Sequence, residues 1–186
     1  MTESGSSFAI FPNFHFNLHD ITPLGKLCGE RPAARAEWPT QKFSVLVAVI
    51  EVFGLDIVKV KKGAASGTEV AVISFVIGDH TGAIVKLTAW RETAEHFDGS
   101  DEDNPQIKKG DVVCFKDVVL APGPSVSLNA SPNHQSTHEI CYRSLPIVPA
   151  DRRFTPDLKL GRSDAVVRHV AQIVEWVIMM AGLPLP

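Results

Sequence analysis

The sequence predicts an all-β protein, a small closed barrel of five strands, with one α-helix added at the C-terminus. Short apolar segments rich in β-branched residues recur between residues 43 and 142, and Gly, Pro and Asp residues separate them. A single helical pattern then covers residues 163–181. Five short strands cannot bury their apolar side chains as an open flat sheet, so we expect the sheet to close on itself.

The strand order gives the barrel its type. The first strand is predicted over 43–53 and resumes at 57–60 after Gly54, where a bend or bulge would let a small barrel close. Further strands are expected at 70–77 and 83–90, joined by a tight turn at 78–82, then a short helix at 91–97 and strands at 111–120 and 125–129; one more extended piece is expected at 138–142. Three strands, a short helix and two strands is the order of a five-stranded OB-fold barrel, with the helix between strands three and four.

Composition divides the chain into four parts. Residues 1–40 are predicted to be an extended N-terminal arm, 41–145 the OB-fold domain, 146–162 a linker with three prolines, and 163–181 a C-terminal assembly helix. Four phenylalanines in the arm either enter pockets from an extended segment or pack on the chain's own barrel; they are Phe8, Phe11, Phe14 and Phe16.

The C-terminal helix has an unusually broad apolar face. Ser163 is a suitable N-cap and Gly182 a suitable stop. The apolar face is wider than one surface helix needs, so the helix either packs on the barrel or, as we favour, joins helices of other chains. The residues expected to contact a partner are Val166, Val170, Ile173, Val174, Trp176, Val177 and Met180. The segment is short and carries Arg168 and Glu175, so no membrane span is expected.

Charge and cysteine content limit the classes of function and the cellular environment that the sequence predicts. The chain has 186 residues, 45% hydrophobic and 21% charged, with a net charge of −3. A strong sequence-independent nucleic-acid binder usually has a basic face, so any such face must be local here. The three cysteines are an odd number and widely spaced, and there is no secretory leader pattern. These features predict reduced, buried thiols in an intracellular protein.

Two segments carry a family resemblance. The run ISFVIGDHTGAIVKLTAWRETAEHF at 73–97 and KGDVV at 109–113 resemble the OB domains of the replication protein A large subunit, the meiosis-specific OB protein, shieldin subunit 2 and telomeric OB proteins. The resemblance implies a nuclear subunit that binds single-stranded DNA in a telomere-maintenance, replication or repair complex. It also implies that the C-terminal helix assembles the chain with other OB-fold or complex subunits. The chain departs from the pattern in three ways. Ile73 aligns with the family's stacking aromatic, no zinc ribbon is present, and the loop at 121–124 is short and uncharged.

The predicted DNA groove combines basic and aromatic side chains, as single-strand-binding barrels do. The predicted DNA-binding residues are Lys59, Lys61, Lys62, Lys86, Thr88, Trp90 and Lys116, with Phe115 a weaker candidate. Lys86, Thr88 and Trp90 alternate outward if Val85, Leu87 and Ala89 face the core. Two alternatives stay open: the first three lysines guard an edge strand, and Trp90 covers the short helix.

No pattern in the sequence predicts catalysis. There is no nucleophile with a base, no pair of catalytic carboxylates and no phosphate-binding glycine loop, so we expect neither an enzyme nor a cofactor. His134, His138 and Cys141 do not match a zinc spacing, and no metal site is expected. The alternative function is a protein-interaction OB module that assembles a complex with little DNA contact of its own. A weaker alternative is an RNA-binding domain.

Overall fold

A computed structural model describes residues 8–29, 41–100, 103–146 and 148–182 of the chain. Its strands are Lys42–Lys59 (β1), Glu69–Gly78 (β2), Ile84–Trp90 (β3), Asp111–Leu120 (β4), Ser127–Ala130 (β5) and Thr137–Arg143 (β6). Its α-helices are Leu24–Gly29 (α1), Glu92–Asp98 (α2) and Ala165–Ala181 (α3). Short 3-10 helices cover Leu18–Asp20, Pro132–His134, Pro149–Phe154 and Leu158–Gly161. The helical share corrects the all-β prediction, because the segments flanking the strands are partly helical. Within the described residues, no helix is both long and apolar enough to cross a membrane.

The strands form a ring in the predicted order. Hydrogen-bonded neighbours run β1-β2-β3-β5-β4, β4 also pairs with β1, and β6 adds to the free edge of β4. The pairing of β3 with β5 is parallel, and the other pairings are antiparallel. The register of β1 with β2 shifts between Val49 and Glu51 and again between Phe53 and Asp56. Gly54 lies in the second shift, which confirms the predicted bend at this glycine.

The inside of the ring is a single apolar core. The rings of Phe75, Phe97 and Phe115 meet there, with centroids 5.4 to 6.3 Å apart. Phe97 comes from α2, which therefore closes one end of the ring. Ile73 and Phe115 are fully buried in this core. The interpretation of Phe115 as a DNA-binding candidate is therefore wrong, and Ile73 faces the core rather than a groove.

A second apolar cluster lies outside the ring, under α3. The outward side chains of β1, β4 and β6 are also apolar here and need cover; they are Leu46, Ala48, Val112, Cys114 and Cys141. Four of the seven residues expected to contact a partner fill this cluster instead, namely Val170, Ile173, Val174 and Val177. The broad apolar face of α3 thus packs on its own chain, which was the less favoured alternative. Val166 and Trp176 are partly buried, and Met180 is exposed.

The N-cap of α3 differs from the prediction by one residue. The Asp164 side chain, not that of Ser163, accepts a hydrogen bond from the Val166 backbone N–H at 2.7 Å. At the other end, Gly182 has the left-handed conformation of a helix stop, as predicted.

Part of the described N-terminal arm packs on the same outer cluster. Phe14 and Phe16 stack with ring centroids 6.1 Å apart and pack against it, whereas Phe8 and Phe11 are exposed. The 2.7 Å bond from the Leu24 N–H to the Asp79 carboxylate ties α1 to the turn between β2 and β3. Phe14 and Phe16 thus pack on the chain's own ring, one of the two predicted alternatives, and the entry of Phe8 and Phe11 into pockets stays a prediction.

A buried ion-pair network holds the segment predicted to be a linker. The Arg143 guanidinium bonds Asp111 through two nitrogens at 2.8 Å each, and it also bonds Asp151. Asp151 lies in the 3-10 helix of that segment and is 4% exposed. The network therefore fixes the path of the chain between β6 and α3.

Candidate nucleic-acid interface

One outer face of the ring lies away from the cluster under α3 except at its Gly78 end, where Trp176 of α3 approaches, and β2 and β3 form its centre. Alternate residues of β2 face the core, so their neighbours in sequence face out, although the outward Ser74 is buried at 8% exposure. The outward pairs across the two strands are Val76 with Lys86, Ser74 with Thr88, and Val72 with Trp90. The expected outward row on β3 is therefore confirmed.

β5 extends this face on the other side of β3. Its parallel register places Ser127 beside Lys86 and Asn129 beside Thr88. The Trp90 indole Nε1–H donates to Asn129 Oδ1 at 3.3 Å. The Trp90 side chain therefore reaches toward β5, across the outer face.

β1 adds an aromatic residue that sequence reasoning missed. Phe53 pairs with Ser74 and is 52% exposed, so it lies on the same side as Thr88. Val45, Val47 and Val49 face the core, and strict alternation would turn Phe53 inward. The shift after Val49 reverses the alternation, and such a bulge leaves no clear mark in the sequence.

The lysines of the first strand and its loop do not all join this face. Lys61 and Lys62 are exposed in the loop beyond β1. Lys59 pairs with Glu69, and two residues earlier Ile57 pairs with Ala71, which faces the core. By strand alternation Lys59 therefore lies on the side opposite Trp90.

Lys116 lies on the covered side of the ring. Its Nζ donates to the His15 carbonyl at 2.8 Å and is 3.7 Å from a Glu139 carboxylate oxygen. The structure therefore does not bring Lys116 together with Lys86 and Trp90.

The charge of the open face is only locally positive. Lys86 stands near the middle, and Lys61 and Lys62 stand at one end. Two carboxylates share the β1 side of the face, Glu51 and Asp56, and Glu51 is 3.2 Å from Lys109 Nζ. Stacking and hydrogen bonding must therefore supply a large part of any affinity, as in single-strand grooves.

Three buried ionisable side chains outside this face have pKa values shifted so that they stay uncharged near pH 7. Burial raises the pKa of the Cys114 thiol to about 12 and raises that of Cys141 well above its ordinary value. Cys114 and Cys141 are free and buried, as predicted, whereas Cys28 is exposed, so the prediction of a buried thiol is wrong for Cys28. Burial lowers the pKa of His138 to about 4. Across the described ranges, no group of three or more His, Cys, Asp or Glu side chains could hold a metal ion.

The ring order, the helix between β3 and β4, and the open β2–β3 face define an OB-fold protein. The family model for the first OB-fold domain of shieldin complex subunit 2 matches residues 34–126, half of the chain. The chain therefore belongs to the family of that domain.

Solved structures with similar folds come from replication protein A. The solution structure of the second OB-fold domain of replication protein A from Methanococcus maripaludis is 19% identical, with 58% of this chain and 91% of that chain covered and a TM-score of 0.41. A replication protein A heterotrimer bound to single-stranded DNA is 21% identical, with 80% of this chain and 29% of that chain covered and a TM-score of 0.47. The curated proteins compared with the chain include no significant match.

Proposed function

We propose that this chain is a non-enzymatic OB-fold subunit that binds single-stranded DNA in a nuclear repair, replication or telomere-maintenance complex. One observation carries the proposal. Phe53 and Trp90 lie on one uncovered face together with Lys86, Thr88 and Asn129. Bases stack on such aromatic rings whatever their identity, and OB folds bind oligonucleotides on the face of strands two and three. The shieldin family membership supports the same class of role.

The binding track runs along β3 toward the loop after β1. Lys86 and Trp90 are four residues apart, about 13 Å at strand spacing, which is enough for two or three nucleotides. Val72, the partner of Trp90, leads through Val70 to the loop that carries Lys61 and Lys62. A phosphate backbone lying along this line would meet a positive charge near each end.

The test is the affinity for a fluorescent oligo-dT, measured by anisotropy at low and moderate salt. We expect binding that weakens with salt, because lysines release counterions from the phosphates. Phe53→Ala and Trp90→Ala should each weaken binding by roughly 1–3 kcal/mol, the usual loss of one stacked base. Lys86→Ala should weaken binding and flatten the salt dependence.

Lys116→Ala is the matched control. Its ammonium group contacts the His15 carbonyl and Glu139 on the covered side of the ring, so oligo-dT affinity should stay unchanged. Absence of oligo-dT binding at low salt by the folded wild-type protein would end the DNA proposal. Comparing ribo- and deoxy-oligomers would decide between RNA and DNA.

A second candidate is a protein-interaction OB module with little DNA contact. Exposed apolar residues of β1 favour it, since exposed apolar surface marks partner contacts. Phe53 lies on the outer face, Leu55 follows it, and Ile57 lies on the opposite side of the sheet. On α3, Val166, Trp176 and Met180 are accessible enough to add to such a contact. The measurement is light scattering with candidate complex subunits, comparing wild type with Ile57→Ser. Point variants suit this test better than a truncation that removes α3, since loss of α3 would expose the cluster beneath it.

A further inference from the structure

The side-chain amide of Asn129 is held in one orientation. An indole N–H can only donate, so the Asn129 atom 3.3 Å from Trp90 Nε1 must be the carbonyl oxygen, Oδ1. The amino group, Nδ2, then occupies the other branch of the planar amide. In the part of the chain that the structure describes, Nδ2 has no hydrogen-bond partner. Asn129 is also partly exposed.

The polar groups beside Asn129 are already engaged with each other. Thr88 lies directly across from Asn129, and its hydroxyl is 3.3 Å from the Ser74 hydroxyl. The Trp90 N–H is used by Oδ1. The Thr88 hydroxyl keeps acceptor capacity, but the Asn129 amino group is the group beside the indole ring with two unused donors and no acceptor.

A base stacked on Trp90 would meet these donors with one of its edges. Cytosine offers N3 and O2 as adjacent acceptors, and guanine offers O6 and N7 as adjacent acceptors on its other edge. Thymine has an N–H between its two carbonyls, and adenine has its amino group beside N1 and N7, whereas its N3 is a single acceptor. Thymine or adenine would therefore place an N–H against Nδ2, or would offer only one acceptor to its two N–H groups.

We propose that Asn129 determines base specificity, selecting at the Trp90 position a base with two adjacent acceptors, cytosine or guanine, over thymine and adenine. The proposal rests on the proposed DNA-binding function and adds to it a preference that stacking alone would not produce. Trp90 has a double role, as the stacking surface and as the donor that orients Asn129.

The experiment compares affinities for oligomers of equal length: oligo-dC, oligo-dT, oligo-dA and a dT oligomer with interspersed dG. The wild-type protein should bind oligo-dC and the dG-containing oligomer about fivefold more tightly than oligo-dT, the value of about one added hydrogen bond. The two arms separate cytosine from guanine as the source of the acceptors.

Two variants isolate the amide. Asn129→Leu has a similar size without the donors, so the ratio of oligo-dC to oligo-dT affinity should fall to about one. Trp90→Phe keeps a stacking ring but frees the amide, and it should reduce the same ratio while oligo-dT still binds. Ser127→Ala, on the same face of β5, should leave the ratio unchanged.

Equal wild-type affinities for oligo-dC, dG-containing, oligo-dT and oligo-dA strands would overturn the proposal, and so would an unchanged ratio in Asn129→Leu. If the folded protein binds no oligomer at all, the DNA-binding function itself fails. These two failures are therefore distinguishable.

Discussion

At the scale of the residue, His138 shows how burial sets a charge state. Its ring packs edge-on against Phe97, with centroids 4.8 Å apart. Burial lowers its pKa to about 4, although a hydrogen bond to the Pro105 backbone acts in the opposite direction. The imidazole is therefore neutral in the folded protein over the whole physiological range.

Because His138 is neutral in the folded protein, we expect the free energy of unfolding to fall in acid. Below a pH of about 6.5 the unfolded chain binds a proton at His138 that the folded chain does not bind, so stability falls as the pH falls toward about 4. Between pH 7 and pH 5 the loss should be about 2 kcal/mol. Urea unfolding at the two pH values measures it. His138→Gln should unfold with a smaller difference between pH 7 and pH 5, and an equal difference would contradict this origin.

Gly78 shows a second residue-scale constraint, a close approach between β2 and α3. A Cβ placed on Gly78 would lie 2.6 Å from a ring carbon of Trp176 and 3.0 Å from Ile50. Gly78→Ala should therefore destabilise the fold by roughly 1–3 kcal/mol, because the helix must shift. Chemical denaturation measures the change. Gly54→Ala is the control, since no atom lies within 4 Å of its added Cβ. A similar loss in both variants would show that strand propensity, not helix docking, is responsible.

At the scale of the element, the start of α3 depends on one side chain. Asp164 accepts the Val166 N–H, whereas no hydrogen bond of the Ser163 side chain caps the helix. Both residue types are good N-caps, so local sequence preference could not choose between them. The choice follows from where helical geometry begins, which packing of the first turn decides.

Asp164→Ala should lower the free energy of unfolding by about 1 kcal/mol, the usual value of an N-cap. Ser163→Ala should have little effect, and thermal unfolding of the two variants under one condition compares them directly. Equal losses would mean that the cap is shared or frayed.

At the scale of the whole molecule, the Arg143 network connects three distant parts of the chain. Arg143 in β6 bonds Asp111 at the start of β4, Asp151 before α3, and the Gln106 carbonyl at 2.7 Å. Removing one partner of a buried ion pair leaves an uncompensated charge. The network therefore couples the position of α3 to the ring.

Asp151→Ala should destabilise the protein by about 3 kcal/mol, because Arg143 would keep only part of its compensation. Asp117→Asn is the matched control, since Asp117 and Lys42 form an exposed pair at 3.9 Å, and such pairs contribute about 1 kcal/mol or less. Denaturant midpoints measure both. A loss in Asp151→Ala no larger than the control's would mean that the network does not hold the segment before α3.

The sequence by itself determined the strand order, the helix between β3 and β4, the bend at Gly54 and the outward row of Lys86, Thr88 and Trp90. These features follow from near neighbours along the chain, such as alternation, turn residues and short apolar runs. Only the tertiary structure decided that α3 covers its own ring, that Phe53 faces outward, that Lys59 and Lys116 lie elsewhere, and that Trp90 orients Asn129. Each of these depends on a bulge or on contact between segments far apart in sequence, and neither can be predicted from local sequence patterns.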